Sequence, residues 1–241
     1  RMLMMEDGRI AVLPENGLPA GSFTTIPKMD LAGVEVLIGP GSALYGPDAS
    51  NGVLTLQTKD PKQFQGTTLE VAAGSRSFMD VQARHAGVAA GGMLGYKLSG
   101  EYLSANDFSN QLVYSGQVRE RGIGGAVDWT TDVMRAEGAL VYYGGDNRVE
   151  LSLGNSKSNG VGQTNVGRNQ LADWQYRHAQ LKWTAPRWYA NAYFAQSLSG
   201  DSYAINRFSS ARVATPATIS DDSVAKLSDW PADGRLMAAE V

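Results

Sequence analysis

Chemistry in this chain would have to come from few groups. It has two histidines, His85 and His178, and no cysteine. The histidines fall in separate expected strands without a tight carboxylate cluster, a setting typical of hydrogen-bonded polar residues rather than of a metal centre or triad. Ser42 stands in Gly41-Ser42-Ala43, outside the Gly-x-Ser-x-Gly frame of a nucleophile elbow. Neither Asp146-Asn147 nor Asp221-Asp222 continues into calcium-loop spacing, so solvated loop acids are expected. Gly39 to Gly46 is glycine-rich and invites a phosphate reading, yet it holds neither Gly-x-Gly-x-x-Gly nor a Walker lysine. We expect no enzyme, no cofactor and no metal.

The positioning elements are therefore more informative than the reactive groups. A net charge of −3 supplies no basic field for counterion release, which argues against nucleic acid as a partner. Glycine at 28 residues, with 10 tyrosines and 5 tryptophans, suits many short strands joined by turns. The longest apolar stretches, such as Gly87 to Leu98, fall short of the roughly 20 residues of a membrane helix. Arg1 is not an initiator, and the first ten residues lack the pattern of a signal peptide. The lack of cysteine leaves the compartment open.

Two textures meet near Asp60-Pro61-Lys62, dividing residues 1–65 from 66–241. In the first, Leu3-Met4-Met5 reads as a strand entering a turn at Glu6-Asp7-Gly8-Arg9, and residues 34–38 and 53–58 as strands. In the second, residues 67–74, 78–86, 93–104, 133–143, 148–154, 174–184 and 188–198 are expected strands, with polar and apolar residues alternating at period two. Tyr96, Leu98, Gly100 and Tyr102 share one face, and Lys97, Ser99 and Glu101 the other. The same split recurs at 134–142, 149–153 and 178–183.

Alternation fits a water-exposed antiparallel sheet as well as a membrane barrel. The connections differ in length: 87–92, 144–147 and 185–187 are short, whereas 105–132 and 155–173 are long. Tight turns on one rim and extended loops on the other are how outer-membrane barrels are built. Tyr142, Tyr143, Trp174, Trp183, Trp188 and Tyr189 lie near strand ends, which fits interfacial girdles and fits ordinary cross-strand packing too.

The most specific stretch is VEVLIGPGSALYGPDASNGVLTLQTK, Val34 to Lys59. Gly39, Gly41 and Gly46 permit dihedrals closed to other residues, Pro40 presets a turn, and Tyr45 offers a large ring with a polar tip. This stretch resembles the plug domain of TonB-dependent outer-membrane receptors at Glu35, Val36, Gly39, Pro40, Ser42, Leu44, Tyr45, Gly46, Gly52, Val53, Thr58 and Lys59. Asn51 joins Gly52-Val53 in opening the last strand. Ile38 departs from it, standing where the family carries arginine before Gly-Pro, so a charge for pairing with lumenal acids is lost. Gly162 to Gln170, followed by Asp173-Trp174-Gln175-Tyr176, is similar to receptors of the carboxypeptidase-regulatory-like branch.

The resemblance implies a mainly β chain: a partial plug over 1–65, then the N-terminal portion of an antiparallel transmembrane β-barrel over 66–241. It implies the Gram-negative outer membrane, contact with its lipid, and TonB with its inner-membrane energising complex as partners, acting through a segment not found in residues 1–30. Glu35, Gly39, Pro40, Gly41, Ser42, Leu44, Tyr45, Gly46, Asn51, Gly52 and Val53 would be structural or gating residues. The small ligand (ferric siderophore, cobalamin, haem, glycan or peptide) is not encoded in loop composition. Tyr96, Leu98 and Tyr102 are expected to face lipid, and Lys97, Ser99 and Glu101 the lumen. The barrel is expected to be incomplete, since such receptors close with about 22 strands, and Ser220 to Val241 reads as a polar loop. The rival readings are a soluble or secreted all-β binding module and a passive porin.

Overall fold

The computed structural model describes residues 2–14, 17–110, 112–114, 118–123, 126–164, 167–206, 209 and 235–240. Two sheets dominate. The small one comprises β1 (Met2–Glu6), β2 (Arg9–Ile10), β3 (Leu31–Ile38) and β4 (Gly52–Thr58), in the spatial order β2-β1-β4-β3. Asp7 and Gly8 join β1 to β2 with φ of 47° and 87°, the positive pair that lets a two-residue hairpin match strand twist. β1 runs parallel to β4, and β3 antiparallel to it, with Leu37 opposite Val53 and Ile38 opposite Gly52.

The expected strands at 34–38 and 53–58 are thus present and adjacent. Between them the Gly-Pro stretch folds back on itself: Gly39 N–H donates to Asn51 O (3.2 Å) and Gly41 N–H to Ala49 O (2.9 Å). Ser42–Tyr45 forms one helical turn, ended by Gly46 at φ 88°. Gly52 is demanded twice over, by φ 147° and by a Cβ position only 2.3 Å from Leu37 O. A Gly52→Ala variant should therefore lose more than about 1 kcal/mol of stability, seen as a lower melting temperature and faster proteolysis at residues 31–58. An unchanged melting profile would contradict that reading of the turn.

The large sheet is an antiparallel meander of β5 (Gly66–Ala73), β6 (Met79–Ala89), β7 (Leu94–Asn106), β8 (Thr130–Gly144), β9 (Asn147–Thr164), β10 (Gly167–Ala185), β11 (Trp188–Leu198) and β12 (Arg235–Glu240), each beside its sequence neighbour. Among the described residues β5 and β12 have one neighbour each, so this sheet is open. Tight connections at 90–93, 145–146 and 186–187 share one rim, where the chain also enters from the small sheet. The 107–129 connection lies on the other.

Three expectations need correction. The long loop at 155–173 is instead the extension of β9 and β10 as one hairpin, paired from Asn155–Arg177 up to Thr164–Gly167 with a bulge at 158–160. Its sequence, Gly-Asn-Ser-Lys-Ser-Asn-Gly, is polar on both faces, so backbone pairing persists where the alternation signal vanishes. Within Ser220 to Val241, residues 235–240 are a strand against Asn191–Gln196; Arg-Leu-Met-Ala-Ala-Glu pairs through its backbone and carries no period-two alternation to mark it. Residues 220–234 and 241, with Asp221-Asp222, lie outside the described residues. Trp174 and Tyr143 do not belong to a girdle. By the period of two, Trp174 shares a face with Tyr176 and His178, and it is buried against Phe23, ring centroids 5.2 Å apart. Tyr143 points opposite to Tyr142 and donates to Asp60 at 2.9 Å.

Burial is reversed relative to a water-soluble sheet. Leu98 is 64% exposed and Leu153 55%, whereas Lys97 and Ser152 are each 5% exposed. Tyr96, Tyr102, Met134, Leu140, Tyr142, Leu181, Trp183, Trp188 and Tyr189 are also exposed, while Ser99, Glu101, Glu137, Glu150, His178 and Gln180 are buried. The polar face is the covered one.

Candidate functional site

What covers the polar face is the small sheet and, above all, residues 20–30. Ala20-Gly21-Ser22-Phe23-Thr24-Thr25-Ile26-Pro27-Lys28-Met29-Asp30 contains two 3₁₀ turns, at Gly21–Phe23 and Lys28–Asp30. So irregular a segment presents many unpaired backbone groups, which must find partners when buried. The large sheet supplies them from β6 through β9. Arg135 donates from Nε to Thr24 O (3.0 Å) and from Nη2 to Ser22 O (2.9 Å), while its Nη1 binds Glu101. Ser156 Oγ donates to Phe23 O (2.5 Å), Met29 N–H to Gln82 Oε1 (2.8 Å) and Lys28 N–H to Glu101 Oε2 (3.3 Å).

Two side-chain clusters fix this segment. Asp30 is fully buried and takes Arg84 Nε at 2.5 Å and Lys97 Nζ at 2.7 Å, both cations being themselves buried. Thr25, also fully buried, donates from Oγ1 to Glu137 Oε2 (2.9 Å) and lies 3.2 Å from His178 Nδ1. A hydroxyl has one proton to give, so Thr25 accepts from His178. Close approach depends on Gly154, opposite His178 in the ladder: a Cβ there would stand 2.5 Å from Thr25 Oγ1 and 2.4 Å from His178 Cε1. Arg9, paired with Glu6 beneath this cluster, is buried with it.

A third contact lies at the tight-turn rim. Gln180 Nε2 and Lys182 Nζ donate to Asp7 O (3.2 and 3.3 Å), and Asn191 Nδ2 to Gly8 O (2.9 Å). Arg148 pairs with Asp60 at 3.0 Å. Between these groups is a cavity of about 560 Å³ bordered by Asp7, Glu35, Tyr45, Lys59, Arg148 and Lys182.

Of the residues singled out in the sequence, Glu35 and Tyr45 come together at that cavity, and Glu35 Oε1 accepts from Gln57 Nε2 at 3.2 Å. Gly39, Pro40, Gly41, Ser42, Gly46, Asn51 and Gly52 form the turn itself. Val53 packs with Leu3 and Ala49 in a small core. Leu44 and Ile38 stand 83% and 86% exposed. The charge missing at Ile38 has a counterpart of opposite polarity elsewhere, the acid Asp30 meeting basic residues of the large sheet. Residues 20–30 carried no sequence signal of their own. The clue was indirect: a face of Lys, Arg, Glu and His needs a buried partner once the opposite face is apolar.

Shortening the main anchor should show its role. Arg135→Ala removes two charge-assisted bonds to the backbone carbonyls of Ser22 and Thr24, together worth about 1.5–3 kcal/mol at these partly exposed positions, and should raise hydrogen exchange across 20–30 by at least about tenfold. Exchange confined to the wild-type rate would show that the segment is held without it.

No protein-family profile matches the chain. It is 43% identical over 54 residues to the vitamin B12 transporter BtuB of Vibrio vulnificus, a match covering 22% of this chain and 9% of that protein. Among solved structures, it is similar to the FrpB iron transporter of Neisseria meningitidis (F3-3 variant), with a TM-score of 0.57 and 16% identity over 81% of this chain and 33% of that one. It is similar also to the siderophore receptor PirA of Acinetobacter baumannii, at a TM-score of 0.57 and 18% identity over 81% and 32% of the two chains. The chain thus spans about a third of the length of these structures. With an irregular polar segment clasped by an inside-out antiparallel sheet, the chain has the fold of the TonB-dependent outer-membrane receptors.

Proposed function

We propose that the chain is part of an outer-membrane receptor of a Gram-negative cell that takes up a scarce ligand with energy delivered by TonB and its inner-membrane complex. Residues 1–65 belong to the plug and 66–241 to the first part of the barrel wall. The observation that carries the reading is the reversed burial: a sheet whose apolar face is bare and whose charged face is filled by a plug suits hydrocarbon outside and a polar lumen inside. Glu35, Tyr45 and the Gly39–Val53 turn serve as structural and gating elements at the tight-turn rim, which is the periplasmic side. Iron, siderophores and vitamin B12, named for the relatives above, are the first ligands to try, followed by haem, glycans and peptides.

The test is uptake by cells carrying or lacking the full-length receptor under limitation of each candidate ligand, with and without an energised inner membrane. Energy-dependent uptake by outer-membrane protein is expected. Uptake that persists without energy would indicate a passive porin. Recovery in the soluble fraction would indicate a soluble binding module.

A further inference from the structure

The outward face of the large sheet holds a feature that neither plug contact nor uptake uses. Along the ladder, Ala136, Asn155, Arg177 and Gln196 stand in one cross-strand row. The next row toward the tight-turn rim is Gly138, Leu153, Ala179 and Phe194. Ala136, Gly138 and Ala179 are small, whereas Leu98, Leu153 and Phe194 around them are large. The result is an apolar recess of about 870 Å³ with Arg177 at its edge, within the size range of small-molecule sites.

Arg177 is exposed, and Gln196 Oε1 accepts from its Nε (2.8 Å) and Nη2 (2.5 Å), fixing the guanidinium on this face. Glutamine is neutral, and among the described residues no carboxylate pairs with this guanidinium. Arg177 lies eight positions before Ala185, where β10 meets the tight turn. A tilted strand crosses the hydrocarbon in roughly 9–11 residues, so Arg177 sits inside the apolar band, toward the loop-bearing rim. A cation there is unfavourable in a depth-dependent way unless an anion meets it. Nearby, Lys157 already has its counterion, Asp173, at 2.7 Å.

We propose that this recess binds the acyl chain of a phosphorylated outer-leaflet glycolipid, with Arg177 holding the phosphate. Arginine suits phosphate because its planar fork donates two parallel bonds. The loop-bearing rim is the external one, which selects the outer-leaflet glycolipid over inner-leaflet phospholipid. The inference rests on the lipid-facing assignment made above.

The test uses the full-length receptor in nanodiscs, with lipid retention read by native mass spectrometry. The probes are lipid A, its bis-dephosphorylated form and phosphatidylglycerol. The variants are Arg177→Gln, which removes the charge, and Gly138→Leu, which fills the recess. A Cβ at Gly138 meets Leu98 Cδ1 at 3.6 Å, ordinary contact, so a side chain can start there without a clash, and retained heat-modifiable mobility of the variant on gels checks that it folds. Wild-type receptor should retain lipid A, and each variant, like the dephosphorylated probe on wild type, should lower retention at least about fivefold. Unaltered retention by Arg177→Gln, or equal retention of phosphatidylglycerol, overturns the site while leaving energy-dependent uptake intact. Absence of the receptor from the membrane fraction would overturn both the site and the receptor reading.

Discussion

Replacing Asp30 by asparagine is expected to unseat residues 20–30 from the large sheet more severely than any other single change at this interface. The carboxylate is fully buried and is the shared partner of Arg84 and Lys97, which are 4% and 2% exposed. Removing it leaves two buried cations beside one another without the ion-pair partner they share. Losing one partner of a buried ion pair costs about 3–5 kcal/mol, because the remaining charge stays desolvated. Water entering a loosened lumen would hold the cost toward the lower end, still about a hundredfold in the seated-to-unseated ratio. Hydrogen exchange at 20–30 and permeation of a large hydrophilic solute should both increase. Asp30→Ala combined with Arg84→Met and Lys97→Met should restore much of the loss, since an apolar replacement of the whole cluster removes the stranded charges. The exposed pair Lys157–Asp173 is an internal control: its side chains are 40% and 58% exposed, and its disruption should cost no more than about 1 kcal/mol. Equal, small effects at both pairs would refute the account of Asp30.

The second large effect is expected on the opposite face. Leu98→Lys places a cation where Leu98 is 64% exposed on the apolar band. In hydrocarbon that substitution costs about 2–4 kcal/mol near the midplane and little at the interface. The full-length receptor should assemble poorly in membranes and lose heat-modifiable mobility on gels. In water the same change would be neutral or would help solubility, so the sign separates the receptor reading from the soluble module. A nitroxide at position 98 should be quenched by oxygen dissolved in lipid, and one at Ser99 should be shielded from it. The reverse pattern would place the sheet one residue out of register, because a single-residue shift exchanges the two faces everywhere along a strand.

Much of this architecture was legible in the sequence. Period-two alternation at 96–102, 134–142 and 178–183 located the strands and separated their faces, because neighbouring side chains on a pleated strand must point oppositely. That geometry also carried its own correction: Tyr142 and Tyr143 cannot share a girdle, and Trp174 has the parity of His178. The signal failed where both faces are polar. At 155–173 a paired hairpin read as a loop, since ladder hydrogen bonds are made by the backbone and leave no trace in side-chain type. Residues 235–240, paired with β11, were missed for a different reason: Arg-Leu-Met-Ala-Ala-Glu has no period-two alternation.

The sequence by itself determined the strands that alternate, their two faces, the glycine-dependent turn from Gly39 to Gly52 and the likeness that turn carries. Only the tertiary structure decided what covers the polar face, and through which contacts. Lys97, Arg84 and Asp30 are separated by more than fifty residues of chain between acid and bases, and nothing local relates them. They meet because the meander curves its charged face around residues 20–30, where backbone carbonyls and a buried carboxylate take donors that neighbouring strands, side by side, offer.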